Sequence, residues 1–326
     1  MNVLITSAGR RTSLLRRFRE AAAQRGGKVV ACDLDPLAPA RLLADVGVSV
    51  PRVQDAGYPA RLLEIVREHE IRVVVPTIDP ELPVLCELAS RIRDAGAEPL
   101  VSEAGLLEIT GDKWRTAEAF AERGIAVPHS WLPADLPART ALPERLFVKP
   151  RDGFASLHTY AVDRDRLDEL LPRVPNAIVQ EQLDGPEVTV DALLDLEGRP
   201  LHYVPRRRIR TLAGESIQGV TLDDPALKPF LLQALQAIGE LGGRGPITLQ
   251  FFRTGRGPVL TEINPRFGGG FPLGDAAGGE YPERVLAMVA GETVAPNLGE
   301  YARGRYMTRH HVELFLDAPV DGLEPD

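Results

Sequence analysis

Over the first hundred positions, short apolar runs alternate with amphipathic stretches. Asn2 to Thr6, Lys28 to Cys32, Gly47 to Val50, Ile71 to Val75 and Pro99 to Val101 are near-continuously apolar. Such runs predict strands buried on both faces. The stretch from the Ser7-Ala8-Gly9 turn to Gln24, then Leu62 to His69 and Glu81 to Ala95, carry helical spacing. Strand and helix in alternation predict a parallel, doubly wound α/β sheet. Ligands of such sheets sit at the carboxyl ends of the strands, where Ser7, Gly9, Asp33, Thr77 and Asp79 fall. A dinucleotide site is disfavoured, because the turn has Gly9 alone and lacks the GxGxxG fingerprint. Asp33 and Asp35 read more simply as caps of the next turn. A third reading gives this face a share in a substrate pocket formed jointly with the next domain.

Beyond residue 105 the pattern changes. A helix opens at Asp112 as N-cap and runs to about Arg123. Lys113 in its first turn opposes the helix dipole, which suggests another job. Leu146 to Lys149 reads as a strand ending in a lysine. The loop after it offers the Gly153 amide and the Ser156 hydroxyl to a phosphate. Ile178 to Gln182 reads as another strand, followed by a tight loop and a strand from Val188 to Leu194. Glu181 and Glu187 bracket that loop, and the backbone at Gln182 and Leu183 suits the edge of an adenine. Ile247 to Arg253 and Pro258 to Asn264 form a hairpin with its midpoint near Arg256. That midpoint places Gln250 opposite Glu262. Glu262 and Asn264 differ by two and share a face. One carboxylate and two amide oxygens suit Mg²⁺, and Arg266 stands ready to balance developing negative charge. Taken singly, these residues have blander explanations as solvated lysines, loop carboxylates or the polar face of a hairpin. That explanation fits Glu262 alone. It fits Asn264-Pro265-Arg266 followed by Gly268-Gly269-Gly270 poorly.

Composition narrows the class. The 326 residues allow two domains, 44% hydrophobic and 26% charged residues are ordinary for a globular protein, and the net charge is −8. That balance disfavours a nucleic-acid partner held by bulk charge. Cys32 and Cys86 are the only cysteines. They exclude a disulfide scaffold and Cys-based zinc motifs, and a reduced, cytoplasmic setting fits. No apolar run approaches the roughly 20 residues that span a bilayer, so no membrane partner is expected. The apolar start precedes Arg10, Arg11, Arg16 and Arg17, the reverse of a signal peptide's order. The densest positive stretch is Pro205 to Arg210. On a regular strand Arg208 and Arg210 share a face, so both are candidates to orient a carboxylate or the γ-phosphate. His310 and His311 would point oppositely on a strand and do not read as a metal pair.

In order, GDKWRT, LFVKPRDGFAS, VQEQLDGPEVTVD and LQFF followed by TEINPRFGGG resemble the ATP-grasp superfamily. The similarity is greatest to the ATP-binding units of the carbamoyl-phosphate synthase large chain and to stand-alone ligases like them. It covers about Asn2 to Gly291, since VLITSAGRR and VVPTIDPEL look like the preceding sheet domain of those ligases. The resemblance implies an N-terminal parallel α/β (pre-ATP-grasp) domain, residues 1–105. A two-lobed α+β ATP-grasp domain would follow, with a small lobe or lid at 106–179, a large lobe at 180–316 and a tail at 317–326. It implies that Lys113 and Lys149 contact ATP phosphates, and that Glu181 with the backbone of Gln182 and Leu183 binds adenine. Glu187 would bind the ribose hydroxyls. Glu262 would bridge two Mg²⁺ ions (Mn²⁺ as the alternative), with Gln250 on one and Asn264 on the other. Arg266 would steady the γ-phosphoryl group. The implied activity is ATP-dependent ligation of a small-molecule carboxylate and amine through an acyl phosphate, and dimers are common among similar ligases. Two departures stand out: Ala155, Leu157 and His158 occupy a loop that is usually glycine-rich, and Gln250 stands where many relatives carry an acid. A small-molecule kinase and a catalytically silent nucleotide-binding module are the competing classes.

Overall fold

The computed structural model describes residues 1–152, 158–212 and 215–317. The apolar runs of the first hundred residues become β1 (Asn2–Ile5), β2 (Val29–Asp33), β3 (Val46–Ser49), β4 (Ile71–Val75) and β5 (Glu98–Pro99). They pair in parallel in the order β3-β2-β1-β4-β5. The helices between them are α1 (Thr12–Ala23), α2 (Pro39–Leu43), α3 (Tyr58–Glu68) and α4 (Leu82–Asp94). Helices cover both faces, and Val3, Leu4 and Ile5 are fully buried. The expected parallel α/β domain is therefore present.

The chain continues through α5 (Ala104–Thr110) and α6 (Lys113–Ala121), with the Asp112 carboxylate accepting from the backbone N–H groups of Trp114 and Arg115. Next come β6 (Ser130–Trp131), β7 (Arg145–Pro150), β8 (Tyr160–Asp163), the short α7 (Leu167–Leu170) and β9 (Ala177–Glu181). These strands make an antiparallel sheet in the order β6-β9-β7-β8 with its own small core of Leu142, Leu146, Val148, Leu167 and Val179. The remainder supplies β10 (Glu187–Leu194), β11 (Pro200–Leu212), β12 (Glu215–Thr221), α8 (Lys228–Glu240), β13 (Gly245–Thr254), β14 (Gly257–Asn264), α9 (Phe271–Gly274), α10 (Tyr281–Val289) and β15 (Tyr306–Thr308). Its six-stranded antiparallel sheet runs β14-β13-β10-β11-β12-β15.

The packing departs from the expected lobes in one place. Leu106, Phe120 and Ile125 lie in the core beneath the six-stranded sheet, with Val188, Leu231, Phe251 and Leu260. The helices expected in the small lobe thus pack on the large one, because their apolar stripe finds its partners there. Residues 309–317 form no strand, so alternation of His310 and His311 across a sheet does not apply. Most of the expected tail lies outside the described residues.

Candidate active site

The three sheets enclose a cleft of about 740 Å³. Its floor is the six-stranded sheet, where three rows of side chains run across the strands. In the middle row Arg206 of β11 stands opposite Thr189 of β10, Thr189 opposite Gln250 of β13, and Gln250 opposite Glu262 of β14. A neighbouring row sets Asp191 opposite Thr248 and Thr248 opposite Asn264. On the other side, Glu187 stands opposite Phe252. The hairpin of β13 and β14 therefore has the register read from its sequence, and Gln250, Glu262 and Asn264 all line the cleft. The β14 residue Thr261 is an extra one at a bulge beside Gln250.

These three residues supply one carboxylate and two amide oxygens. The Asn264 amide donates to Glu262 Oε1 at 3.1 Å, and its Oδ1 accepts from Arg266 at 3.3 Å. Among the described residues no group of three or more His, Cys, Asp or Glu converges as a metal cage. A set with a single carboxylate fits Mg²⁺, which is commonly held by one or two carboxylates and completed by substrate phosphates and water.

Two lysines approach Glu262. Lys149 is the next-to-last residue of β7, is 8% exposed and lines the cleft. Burial pushes its ammonium down to about 8, against the pull of Glu262. Half-buried Lys113 opens α6 and is lowered in the same direction by burial, again opposed by Glu262. Its Nζ donates to the Arg151 carbonyl at 3.3 Å. Arg266 follows β14 and donates to Asp79 Oδ2 at 2.6 Å and to the Phe267 carbonyl at 3.2 Å. Asp79 lies just past β4, so the carboxyl ends of the parallel strands contribute to the cleft through Arg11, Thr77 and Asp79.

At the opposite end Glu181, Gln182 and Leu183 line the wall between the two antiparallel sheets. The Glu181 carboxylate accepts from the His129 N–H at 2.8 Å and pairs with Arg256. The Gln182 N–H donates to the Arg145 carbonyl at 3.2 Å. Glu187 pairs with Arg208, and both line the cleft. Ser156 lies outside the described residues.

One expected residue is elsewhere. Arg210 is exposed and does not line the cleft. Arg208 faces Gly219 of β12, whereas Arg210 faces Gln218, so Ile209 is the extra residue of a bulge. A bulge shifts the alternation of faces by one, and the i, i+2 rule fails between Arg208 and Arg210. Applied in the other direction the rule holds, and it finds a residue that the sequence reading missed. Arg206 is 2% exposed, lines the cleft and grips Asp191 with Nε at 2.7 Å and Nη2 at 3.2 Å. Around Asp33 the simpler reading fits. Its carboxylate accepts from the Gly9 N–H at 2.7 Å and the Asp35 N–H at 2.8 Å, closing the turn.

A cleft between a lid sheet and a larger antiparallel sheet, with lysines, an arginine and metal-suited oxygens converging on one carboxylate, is the arrangement that the resemblance to ATP-grasp proteins implies. Residues 173–309 match the family model described as ATP-grasp in the biosynthetic pathway with Ter operon, and residues 3–100 match the PylC-like N-terminal domain. The chain is 28% identical over 167 residues to a phosphoribosylamine–glycine ligase of Corynebacterium ammoniagenes, covering 48% of this chain and 38% of the relative. It is 27% identical over 283 residues to a D-alanine–D-alanine ligase of Corynebacterium jeikeium, covering 69% of this chain and 74% of the relative. The chain thus spans well under half the length of the first of these. Among solved structures, the biotin carboxylase domain dimer of Hydrogenobacter thermophilus 2-oxoglutarate carboxylase, in complex with MgADP, ADP and bicarbonate, superposes with a TM-score of 0.73 at 15% identity. The match covers 94% of this chain and 73% of that one. The resemblance to ATP-grasp units of the carbamoyl-phosphate synthase type is borne out. Among the described residues no helix is long and apolar enough to cross a membrane.

Proposed function

We propose that this protein is an ATP-dependent carboxylate–amine ligase that forms an amide through an acyl phosphate and releases ADP and phosphate. The observation that carries this reading is the convergence of Lys149, Lys113 and Arg266 on Glu262, Gln250 and Asn264 within one cleft. Both curated relatives are ligases by name.

Adenine would lie against the Glu181, Gln182 and Leu183 wall, with Glu187 at the ribose. Lys113 and Lys149 would reach the phosphates. Gln250, Glu262 and Asn264 would hold Mg²⁺, which supplies positive charge to the phosphate oxygens. Arg266 neutralises charge on the transferring phosphoryl group as the substrate carboxylate attacks phosphorus. The amine then attacks the acyl carbon, and phosphate leaves. No side-chain nucleophile takes part. We place residues 1–103, the four-stranded lid sheet and the six-stranded lobe with α5 and α6 as three functional parts. We also place the protein in the cytoplasm, acting as a homodimer.

The test is ADP release across a panel of amino acids and other acids with amines, with products weighed by mass spectrometry. A product that carries an amide and no phosphate is expected. Replacement Glu262→Ala should lower turnover by at least about 10³-fold, on the scale of losing a principal source of transition-state charge stabilisation. Turnover close to that of the parent protein would remove the metal assignment. A phosphorylated product formed without amine would make the protein a kinase.

A further inference from the structure

Two buried polar atoms on the cleft floor have no partner among the described residues: Arg206 Nη1 and Thr189 Oγ1. They belong to directly opposed residues of β11 and β10. Both residues line the cleft, and Thr189 in turn stands opposite Gln250. Buried polar groups of native proteins are almost always hydrogen-bonded, so two adjacent orphans on residues that line a cavity indicate a missing partner. The guanidinium is not free to turn away. Asp191 holds its Nε and Nη2. A Cβ on Gly270 would come within 2.2 Å of Cζ and 2.4 Å of Nη1, so the bare glycine backbone packs directly on the group. A Cβ on Gly268 would likewise come within 2.8 Å of Thr248 Oγ1. Two glycines of the run after Arg266 are thereby explained by close packing, Gly270 on Arg206 and Gly268 on Thr248. The strand pairing puts Arg206 two strands from the metal-suited Gln250 and three from Glu262, while Thr189 adjoins Gln250.

We propose that Arg206 and Thr189 form an oxyanion subsite for a second acidic group of the acid substrate, distinct from the carboxylate that becomes activated. This rests on the ligase reading above and assigns its substrate class, an acid with two anionic groups such as a dicarboxylate. The arginine offers an ionised donor and the threonine a hydroxyl, a pair that matches the two oxygens of a carboxylate. Asp191 acts as a positioning residue, since it fixes the plane of the fork without facing the ligand.

The competing occupant is the γ-phosphate, and the experiment separates the two. Binding of glutarate, succinate and propionate is measured by calorimetry on the intact protein saturated with Mg²⁺ and a non-hydrolysable ATP analogue. Glutarate or succinate should bind saturably, at least about 10-fold tighter than propionate, the scale of one charge-assisted hydrogen bond. Thr189→Val is nearly isosteric and leaves the Arg206–Asp191 pair intact. It should weaken the diacid by about 10-fold and leave the affinity for the ATP analogue within about 2-fold. Arg206→Lys keeps a charge against Asp191 but loses the fork, and should weaken the diacid at least as much. Diacid binding that is absent, matched by propionate or indifferent to both variants overturns the proposal. So does a loss that falls on the ATP analogue instead. Failure of the ligase reading would show separately, as diacid binding without amine-dependent ADP release.

Discussion

Lys149 shows how a single buried charge sets a pH window. Its folded pKa of about 8 lies below the ordinary lysine value. The native state therefore holds fewer protons than the unfolded chain between about pH 8 and 10.5, and the ligand-free protein gains stability as pH rises through that interval. Bound phosphates favour the charged ammonium, so ATP binding should take up a proton near pH 8 to 9 and weaken as pH climbs further. Calorimetry in two buffers of different ionisation enthalpy measures that uptake, and Lys149→Met should abolish it. Lys149, Glu262 and Asn264 were legible in the sequence because strand ends and i, i+2 spacing fix where such side chains go. Arg206 was not, since its meaning depends on Asp191 and Gly270, each remote in the chain. The same spacing rule misplaced Arg210 for want of any sign of the bulge at Ile209.

Among the elements, the turn after β4 carries the clearest strain on charge. Glu81 is fully buried, is hydrogen-bonded by Tyr58, and has Oε2 without a partner among the described residues. Burial raises its carboxyl to about 7. A raised carboxyl contributes stability that is complete below about pH 4.5 and is lost as pH rises through about 7. Glu81 should therefore contribute less stability at pH 8 than at pH 5, by an amount on the order of 3 kcal/mol, and buried His202, held down to about 4, opposes this by costing stability as pH falls below about 6.5. Glu81→Gln should flatten the difference, as read from urea midpoints at both pH values. Just before α9, Gly268 and Gly270 have no room for a side chain, and Gly270→Ala should cost about 1–3 kcal/mol in thermal unfolding through overpacking on Arg206. Periodicity gave β1 to β5 and the hairpin to within a few residues. It could not show which sheet α5 and α6 would cover, because an amphipathic stripe specifies burial and not the partner.

In the whole molecule, the parallel sheet and the six-stranded lobe share one core. Val3, Ile5, Leu14 and Phe18 pack in the same cluster as Leu193, Phe267, Phe271 and Tyr281. Phe18 meets Phe267 edge-on at 5.8 Å, and Arg17 reaches Asp275 and Glu283, both at 2.7 Å. Calorimetry should accordingly show these two parts melting in one transition, and two resolved peaks would contradict a common core. The net charge of −8 conceals a cleft in which every arginine named as facing ATP already has an acidic neighbour. Arg266 is held by Asp79, and Arg208 by Glu187. Asp79 thus supplies an anion to Arg266 in the place proposed for phosphate. On the ligase reading, phosphate and Asp79 compete for Arg266. Asp79→Asn should tighten nucleotide binding while slowing ADP departure, so the parallel domain would set how long the nucleotide stays in the cleft.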